Sequence, residues 1–287
     1  MKLKNKKKYS LTRLYILVIS LIVVILIAGL GAGVVGYKLY KREKAVETQV
    51  VSLVGKQDYL TEKLDQSTDY YKYDTKYTNH TFNYFAIGNS LTLIKTWGRG
   101  ICSTKRDNDY FNLVRKALKT NDKLNPKHEK VVAYPYNFSP WERASDRNSV
   151  DDLLDMYLSK KLDLVTIQLS ENSPTTNKLT QDMEGLVNYV HKKAPNAKIL
   201  IIGDFWDKKK SDCLKLAAKA KKVSFADLSP IIGDKSYQAK VGTVCEGPIN
   251  QDGTKGKPIK VTKAASTHPG DKGMKYIADA VMKQLNK

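Results

Sequence analysis

The sequence has 287 residues, of which 41% are hydrophobic and 27% charged, so one large globular domain with an anchoring segment is expected and general disorder is excluded. Its three cysteines include no C-x-x-C pair, which argues against a zinc site and a disulfide framework. The net charge of +20 suits a polyanionic partner such as nucleic acid, anionic lipid or an anionic cell-wall polymer. Because the charge is diffuse and accompanies no nucleic-acid-binding module, no nucleic-acid partner is expected.

The N-terminal part of the chain is predicted to anchor it in a membrane. Residues 15–35 form an uncharged apolar run of about 21 residues, which at about 1.5 Å per residue spans a hydrocarbon core of about 30 Å. More positive charge precedes this run than follows it, so the N-terminus is expected in the cytoplasm and the rest of the chain outside the cell. Cleavage after the run, as in a signal peptide, is the alternative. The predicted parts are a basic cytoplasmic tail (1–14), a transmembrane anchor (15–37), a juxtamembrane stalk (38–76) and an extracellular domain (77–287).

Beyond the stalk, apolar runs of strand length alternate with segments of helical periodicity. The predicted strands are 82–87, 130–134, 162–169, 198–202 and 223–226. The predicted helices are 109–119, 150–160, 178–193, 211–221 and 271–285, the last with Asp271 as its cap. This alternation predicts an α/β domain in which helices cover both faces of a mostly parallel sheet.

Small and polar residues follow three of the predicted strands, in the segments 88–91, 170–172 and 203–206. In open parallel sheets, ligands bind beyond the carboxyl ends of the strands. We therefore expect these three loops to meet in one site.

Ser90 is the first candidate for chemistry, because its small neighbours Gly88 and Asn89 would leave its hydroxyl accessible. A serine hydroxyl is a weak nucleophile and needs a positioned base. Three of the four histidines fall before strands or on a helix face, whereas His268 lies in the loop before the final helix. His268 is therefore the expected base.

Four blocks, taken in order, resemble those of the SGNH (GDSL-type) hydrolase family. They are G-N-S-L at 88–91, W-G-R-G at 97–100, Q-L-S-E-N at 168–172 and T-H-P at 267–269. Their order and spacing are similar to the family's over about residues 82–286. The resemblance implies a three-layer α/β/α, flavodoxin-like fold and a carboxylic ester hydrolase.

In the mechanism that the resemblance implies, Ser90 attacks an ester carbonyl and His268 accepts its proton. The backbone amides of Ser90 and Gly100 and the side-chain amide of Asn172 would form the oxyanion hole. No metal and no organic cofactor is implied. The residues expected to line the site are Asn89, Glu171, Asp204 and Trp206, with Trp141 and Arg143 as weaker candidates for substrate contacts.

The chain departs from the family pattern at two blocks. The family usually has an acid three residues before its histidine, where this chain has Ala265. Two groups stay open as the one that orients His268: a backbone carbonyl, or a carboxylate from elsewhere such as Asp252 or Asp204. In the third block Ser170 replaces the family's glycine, and a second serine replaces its final aspartate.

The expected function is that of an extracytoplasmic serine esterase that removes acyl groups, O-acetyl above all, from cell-surface carbohydrate. An acylated glycan or a small ester is the expected substrate. Two other functions stay open. The same acyl-enzyme would serve an O-acyltransferase, and the missing acid at Ala265 suggests a non-catalytic glycan-binding or scaffold protein.

Overall fold

The computed structural model describes residues 37–43, 46, 77–249 and 254–287. They fall into two compact units, Met1–Leu53 and Val54–Lys287, and in the first unit residues 37–43 and 46 are helical. The predicted anchor and most of the predicted stalk lie outside the described residues. Within the described ranges, no helix is sufficiently long and apolar to cross a bilayer.

The second unit is built on a five-stranded sheet. Its strands are β1 (Thr81–Gly88), β2 (Lys130–Asn137), β3 (Leu164–Gln168), β4 (Lys198–Ile202) and β5 (Ser224–Ala226). Its helices are α1 (Tyr110–Leu118), α2 (Ser139–Arg143), α3 (Leu179–Lys193), α4 (Lys208–Lys221) and α5 (Asp271–Leu285). The strand order is β2-β1-β3-β4-β5, the order of flavodoxin-like sheets, and every neighbouring pair is parallel. The predicted α/β class is confirmed.

Shorter elements complete the unit. The 3-10 helices are Arg106–Asn108, Arg147–Leu154, Ser229–Ile231, Lys235–Tyr237 and Ala265–Thr267. The strands β6 (Val244–Cys245) and β7 (Ile259–Lys260) form a separate antiparallel pair. This pair was not predicted, because strands of two residues are too short to show an alternating pattern.

Both faces of the central sheet are apolar, which explains why helices cover both. Along β1, Phe85 and Ile87 enter one buried cluster, and the alternate residues Tyr84 and Ala86 enter another. Helices α3 and α4 complete the first cluster, whereas α1 and α5 complete the second. Successive strand side chains point to opposite faces, so a strand buried on both sides reads as a continuous apolar run.

Two local predictions are wrong. The segment predicted as a helix at 150–160 forms the 3-10 helix Arg147–Leu154 instead. Its buried residues include Arg147, Val150 and Leu153, three apart, which matches the three-residue turn of a 3-10 helix. Asp271 does not cap α5, because its carboxylate accepts hydrogen bonds from the backbone N–H and side chain of Thr104.

Two leucines on α4 give a direct test of this packing. Leu214 is completely buried, whereas Leu216, two residues along the same helix, is 59% exposed. We expect Leu214→Ala to lower the free energy of unfolding by about 2–5 kcal/mol, and Leu216→Ala to change it by less than about 0.5 kcal/mol. Urea unfolding of the full-length chain measures both, and equal effects would contradict the assignment of α4's buried face.

Candidate active site

Three strands of the sheet end side by side. Gly88, the last residue of β1, is in register with Asn137 of β2 on one side and with Gln168 of β3 on the other. The loops that follow these parallel strands therefore leave the sheet at the same edge.

Hydrogen bonds between side chains join these loops to one another. Asn89 donates through Nδ2 to a carboxylate oxygen of Glu171 at 2.7 Å, which links the loop after β1 to the loop after β3. Ser170 donates through its hydroxyl to Asp204 at 2.7 Å, which links the loop after β3 to the loop after β4. The predicted convergence of the three loops is confirmed.

Ser90 lies in a tight turn directly after β1. The N–H of Leu91 donates to the side-chain oxygen of Asn89 at 3.1 Å, and the N–H of Thr92 donates to the Asn89 carbonyl at 2.9 Å. A Cβ on Gly88 would lie 1.8 Å from Thr92 Oγ1, so the turn requires glycine there. Ser90 is half-buried. Within 77–249 and 254–287, its backbone carbonyl accepts a hydrogen bond, and its N–H donates none.

His268 follows the 3-10 helix Ala265–Thr267 and precedes α5. Its Nδ1 lies 3.0 Å from the carbonyl oxygen of Ala265. Because a carbonyl oxygen can only accept, Nδ1 carries the proton of the neutral ring and Nε2 keeps its lone pair. Of the open alternatives, the backbone carbonyl is therefore the group that orients His268. Asp204 accepts instead from the N–H of Trp206 at 2.8 Å, and Asp252 lies outside the described residues.

The imidazole of His268 is partly shielded from water. The Trp206 ring meets it edge-on, with ring centroids 5.3 Å apart. Burial lowers the pKa of His268 below its ordinary value of 6.5, and the hydrogen bond to the Ala265 carbonyl opposes that shift. The ring is therefore neutral, and able to accept a proton, at neutral pH.

A short chain of contacts connects the Ser90 turn with the His268 loop. The N–H of Ile101 donates to the Ser90 carbonyl at 2.9 Å. The next residue, Cys102, donates through its thiol to the Ala265 carbonyl at 3.1 Å, the same oxygen that accepts from His268. Both loops thus lie against one segment. Proton transfer between the Ser90 hydroxyl and His268 Nε2 stays a prediction.

Gly100, predicted to donate to the oxyanion, has another partner. Its N–H donates to Oδ2 of Asp109 at 3.1 Å, so in this structure it does not point a free N–H at a substrate. A Cβ at this position would lie 2.3 Å from the Leu91 carbonyl oxygen and 3.1 Å from Met274 Cε. Close packing therefore accounts for a glycine here.

Asn172, the other predicted oxyanion donor, is exposed and has a usable donor. Its side-chain Nδ2 donates to Oε2 of Glu142 at 2.7 Å, and its backbone N–H donates to Oε1 of the same residue at 3.1 Å. A primary amide carries two N–H groups, so one remains for a ligand. The predicted role of Asn172 is compatible with this geometry.

The four residues predicted to line the site divide into two kinds. Asn89 and Asp204 are completely buried, so they support the loops and do not line a crevice, contrary to expectation. Glu171 is half-buried, and burial together with the charges of Asp204 and Glu142 raises its pKa well above the ordinary value. Trp206 flanks His268, with its Nε1 donating to the Thr267 carbonyl at 2.9 Å.

Ser170, which replaces the family's glycine, has a backbone φ of 151°, a value that L-residues rarely adopt. Its N–H donates to Glu142 at 2.7 Å and its hydroxyl donates to Asp204 at 2.7 Å. These two bonds to buried carboxylates stabilise a conformation that is strained for serine.

Sequence reasoning missed two buried acids at the site, Asp109 and Glu142. Asp109 caps α1 by accepting a hydrogen bond from the N–H of Asn112, and it also accepts one from the N–H of Gly100. The sequence indicates only the first contact, because an aspartate at the start of a predicted helix is a common cap. Glu142 follows Trp141, a weak candidate for substrate contact that is completely buried in the core. Glu142 belongs to none of the four sequence blocks and lies in the short helix α2, so no local pattern marks it as part of the site.

No protein-family model matches the sequence, and no curated protein matches it. Solved structures similar to the chain include the salicylyl-acyltransferase SsfX3 from a tetracycline biosynthetic pathway (11% identity, TM-score 0.43, 71% of this chain and 55% of the other). They also include a two-domain esterase active on acetylated mannans (17%, 0.46, 72% and 48%). A third is phospholipase A1 from Streptomyces albidoflavus NA297 (14%, 0.41, 71% and 99%). The chain spans about half the length of the first two.

The buried Asp109 gives a test by pH. Burial raises its pKa from 3.8 to about 6, although the N–H groups of Asn112 and Gly100 oppose the shift. Between these two values the folded protein binds more protons at Asp109 than the unfolded chain does, so the stability it contributes at low pH is lost as pH rises through about 6.

We expect the stability of the wild type relative to Asp109→Asn to fall as pH rises across that window, measured by urea unfolding at a series of pH values. The exposed Leu216→Ala, which removes no titratable group, is the control and should give a difference independent of pH. A pH-independent difference for Asp109→Asn would count against a perturbed carboxyl.

Proposed function

We propose that this chain is a serine esterase that cleaves acyl esters through a covalent intermediate on Ser90, with His268 as general base. The observation that supports it best is the contact of His268 Nδ1 with the Ala265 carbonyl at 3.0 Å. That contact leaves Nε2 as a proton acceptor, on a loop that shares a segment with the Ser90 turn.

In the proposed reaction, the Ser90 oxygen attacks the ester carbonyl carbon while His268 Nε2 takes the hydroxyl proton. The resulting oxyanion is stabilised by the N–H of Ser90 and by the second Nδ2 hydrogen of Asn172. The tetrahedral species collapses, the carbon–oxygen bond to the alcohol breaks, and the imidazolium gives that alcohol its proton. Water then attacks the acyl carbon while His268 Nε2 takes one of its protons. The bond from that carbon to the Ser90 oxygen breaks, His268 returns the proton to Ser90, and the carboxylic acid leaves.

Two features predict a slow catalyst. A backbone carbonyl fixes the tautomer of His268 as a carboxylate would, but it brings no negative charge to stabilise the imidazolium. The N–H of Gly100 is bound to Asp109, and removal of one oxyanion donor typically costs a factor of about 10²–10³ in rate.

For the substrate we propose O-acetyl esters on cell-surface carbohydrate. The support is the net charge of +20, which favours polyanionic surroundings, and the predicted outward position of the domain beyond an anchor. A hydroxyl of a second sugar would accept the acyl group in place of water, so transfer and hydrolysis share the same acyl-enzyme.

A non-catalytic glycan-binding protein is the second candidate, favoured by the missing carboxylate at His268 and the occupied Gly100 amide. Under that hypothesis the full-length chain would bind cell-wall glycan without turning over an acetate ester.

The first test is the nucleophile itself. We expect the full-length chain to hydrolyse a chromogenic acetate ester, and Ser90→Ala to remove most of the rate because no covalent intermediate forms. A fluorophosphonate should label Ser90, as mapped by mass spectrometry. The exposed Ser236→Ala is the control and should keep both rate and labelling. Unchanged turnover in Ser90→Ala would refute the proposal.

A second test follows from the lowered pKa of His268. The neutral imidazole is the active form, so kcat/KM should decline on acidification through an apparent pKa below the ordinary value of 6.5. His268→Gln should abolish most of the activity and remove this acidic limb from what remains. A limb at or above the ordinary histidine value would contradict the assignment of the base.

A further inference from the structure

Glu142 is an acid with no place in the mechanism above, yet its carboxylate sits between two of the site's loops. It lies on α2 and is completely buried. Oε1 accepts from the side chain of Asn89 at 3.0 Å, from the N–H of Ser170 at 2.7 Å and from the N–H of Asn172 at 3.1 Å. Oε2 accepts from Nδ2 of Asn172 at 2.7 Å.

The position of Glu142 is set by the sheet. β2 pairs with β1 through Gly88 and Asn137, and the N–H of Phe138 donates to the Gly88 carbonyl at 2.5 Å, which carries the chain from β2 across the end of β1. Phe138 and Trp141 are both completely buried in the core on that side. The short helix α2 is therefore fixed, and Glu142 is directed towards the loops after β1 and β3.

The two carboxylate oxygens have different tasks. Oε1 binds three donors that shape the loops: one from Asn89, beside the nucleophile, and two from the backbone of the loop after β3. Among the residues that the structure describes, Oε2 binds a single donor, the side-chain amide of Asn172. Burial raises the pKa of Glu142, and the N–H groups of Asn172, Ser170 and Asn89 oppose that rise. The ionised carboxylate that these donors favour only accepts, so it requires the NH₂ end of the Asn172 amide, and not its oxygen, to face it.

The orientation of the Asn172 amide decides whether it can serve an oxyanion. With Nδ2 fixed by one hydrogen bond, its second N–H has a defined direction. If the amide turned over, an oxygen would stand in place of the donor. An acceptor in that place would repel the oxyanion.

We propose that Glu142 is a positioning residue of the active site, which fixes the Asn172 amide with its free N–H directed at the oxyanion. This inference rests on the proposed esterase function. Glu142 acts through Asn172, and it also ties the turn that carries Ser90 to the loop that carries the donor.

Glu142→Gln is a narrow test, because Gln keeps one oxygen for the three donors at Oε1 and replaces only Oε2 by an NH₂ group. That NH₂ would face the NH₂ of Asn172, and the Asn172 amide would turn over. We expect kcat for an acetate ester to fall by about 10²–10³, as for loss of an oxyanion donor. KM should change by less than about threefold, because the interaction is made in the transition state. Glu184→Gln, on α3, is the matched control and should leave both unchanged.

A double-mutant cycle separates positioning from general support of the fold. If Glu142 acts through Asn172, then Glu142→Gln in an Asn172→Ala background should lower kcat by less than about twofold. A full loss in both backgrounds, or a kcat of the single variant within about twofold of wild type, would overturn the proposal.

A second measurement does not depend on activity. In ¹⁵N-labelled full-length protein, the side-chain NH₂ signals of Asn172, identified by their loss in Asn172→Ala, should show one hydrogen protected from solvent exchange. Rapid exchange of both hydrogens would overturn the positioning of this amide. If the wild type shows no Ser90-dependent turnover, the esterase proposal fails, and loss of this protection in Glu142→Gln still decides whether Glu142 fixes Asn172.

Discussion

Buried carboxylates that must be surrounded by N–H and O–H donors are the constraint on which this site depends. A charged oxygen removed from water is costly unless several donors reach it, so each buried acid is hydrogen-bonded by more than one segment of the chain. Glu142 accepts hydrogen bonds from the loops after β1 and β3, and Asp204 accepts them from the loops after β3 and β4. Asp109 accepts them from the start of α1 and from Gly100. The loops at the carboxyl edge have little regular structure, and these acids supply their order.

The sheet was largely predictable from sequence because its information is local. Strands buried on both faces read as short apolar runs, and β4 begins and ends at the predicted residues. The boundaries of β2 and β3 were less accurate, since β2 continues through Tyr136 into the polar Asn137, and β3 stops before Leu169. The side chains at the ends of these strands locate a boundary less clearly than the apolar pattern locates the middle of a strand.

The site was predictable in part. The convergence of the loops followed from topology, because parallel strands end at one edge. The partners of individual donors did not follow, since they join residues of different loops and helices: Gly100 with Asp109, Asn172 with Glu142, and Cys102 with Ala265. A sequence motif marks which residues are present at a site, but competition among neighbouring acceptors decides which N–H remains available to a substrate.

The contact between His268 and the Ala265 carbonyl affects which amino-acid substitutions the protein can tolerate during evolution. In a Ser-His-Asp arrangement the orienting group is a side chain, and a single codon change can delete it. Here the orienting oxygen belongs to the main chain, which every amino acid supplies. The side chain at position 265 is therefore not needed to orient the imidazole, and a substitution there keeps the oxygen that accepts the His268 hydrogen bond.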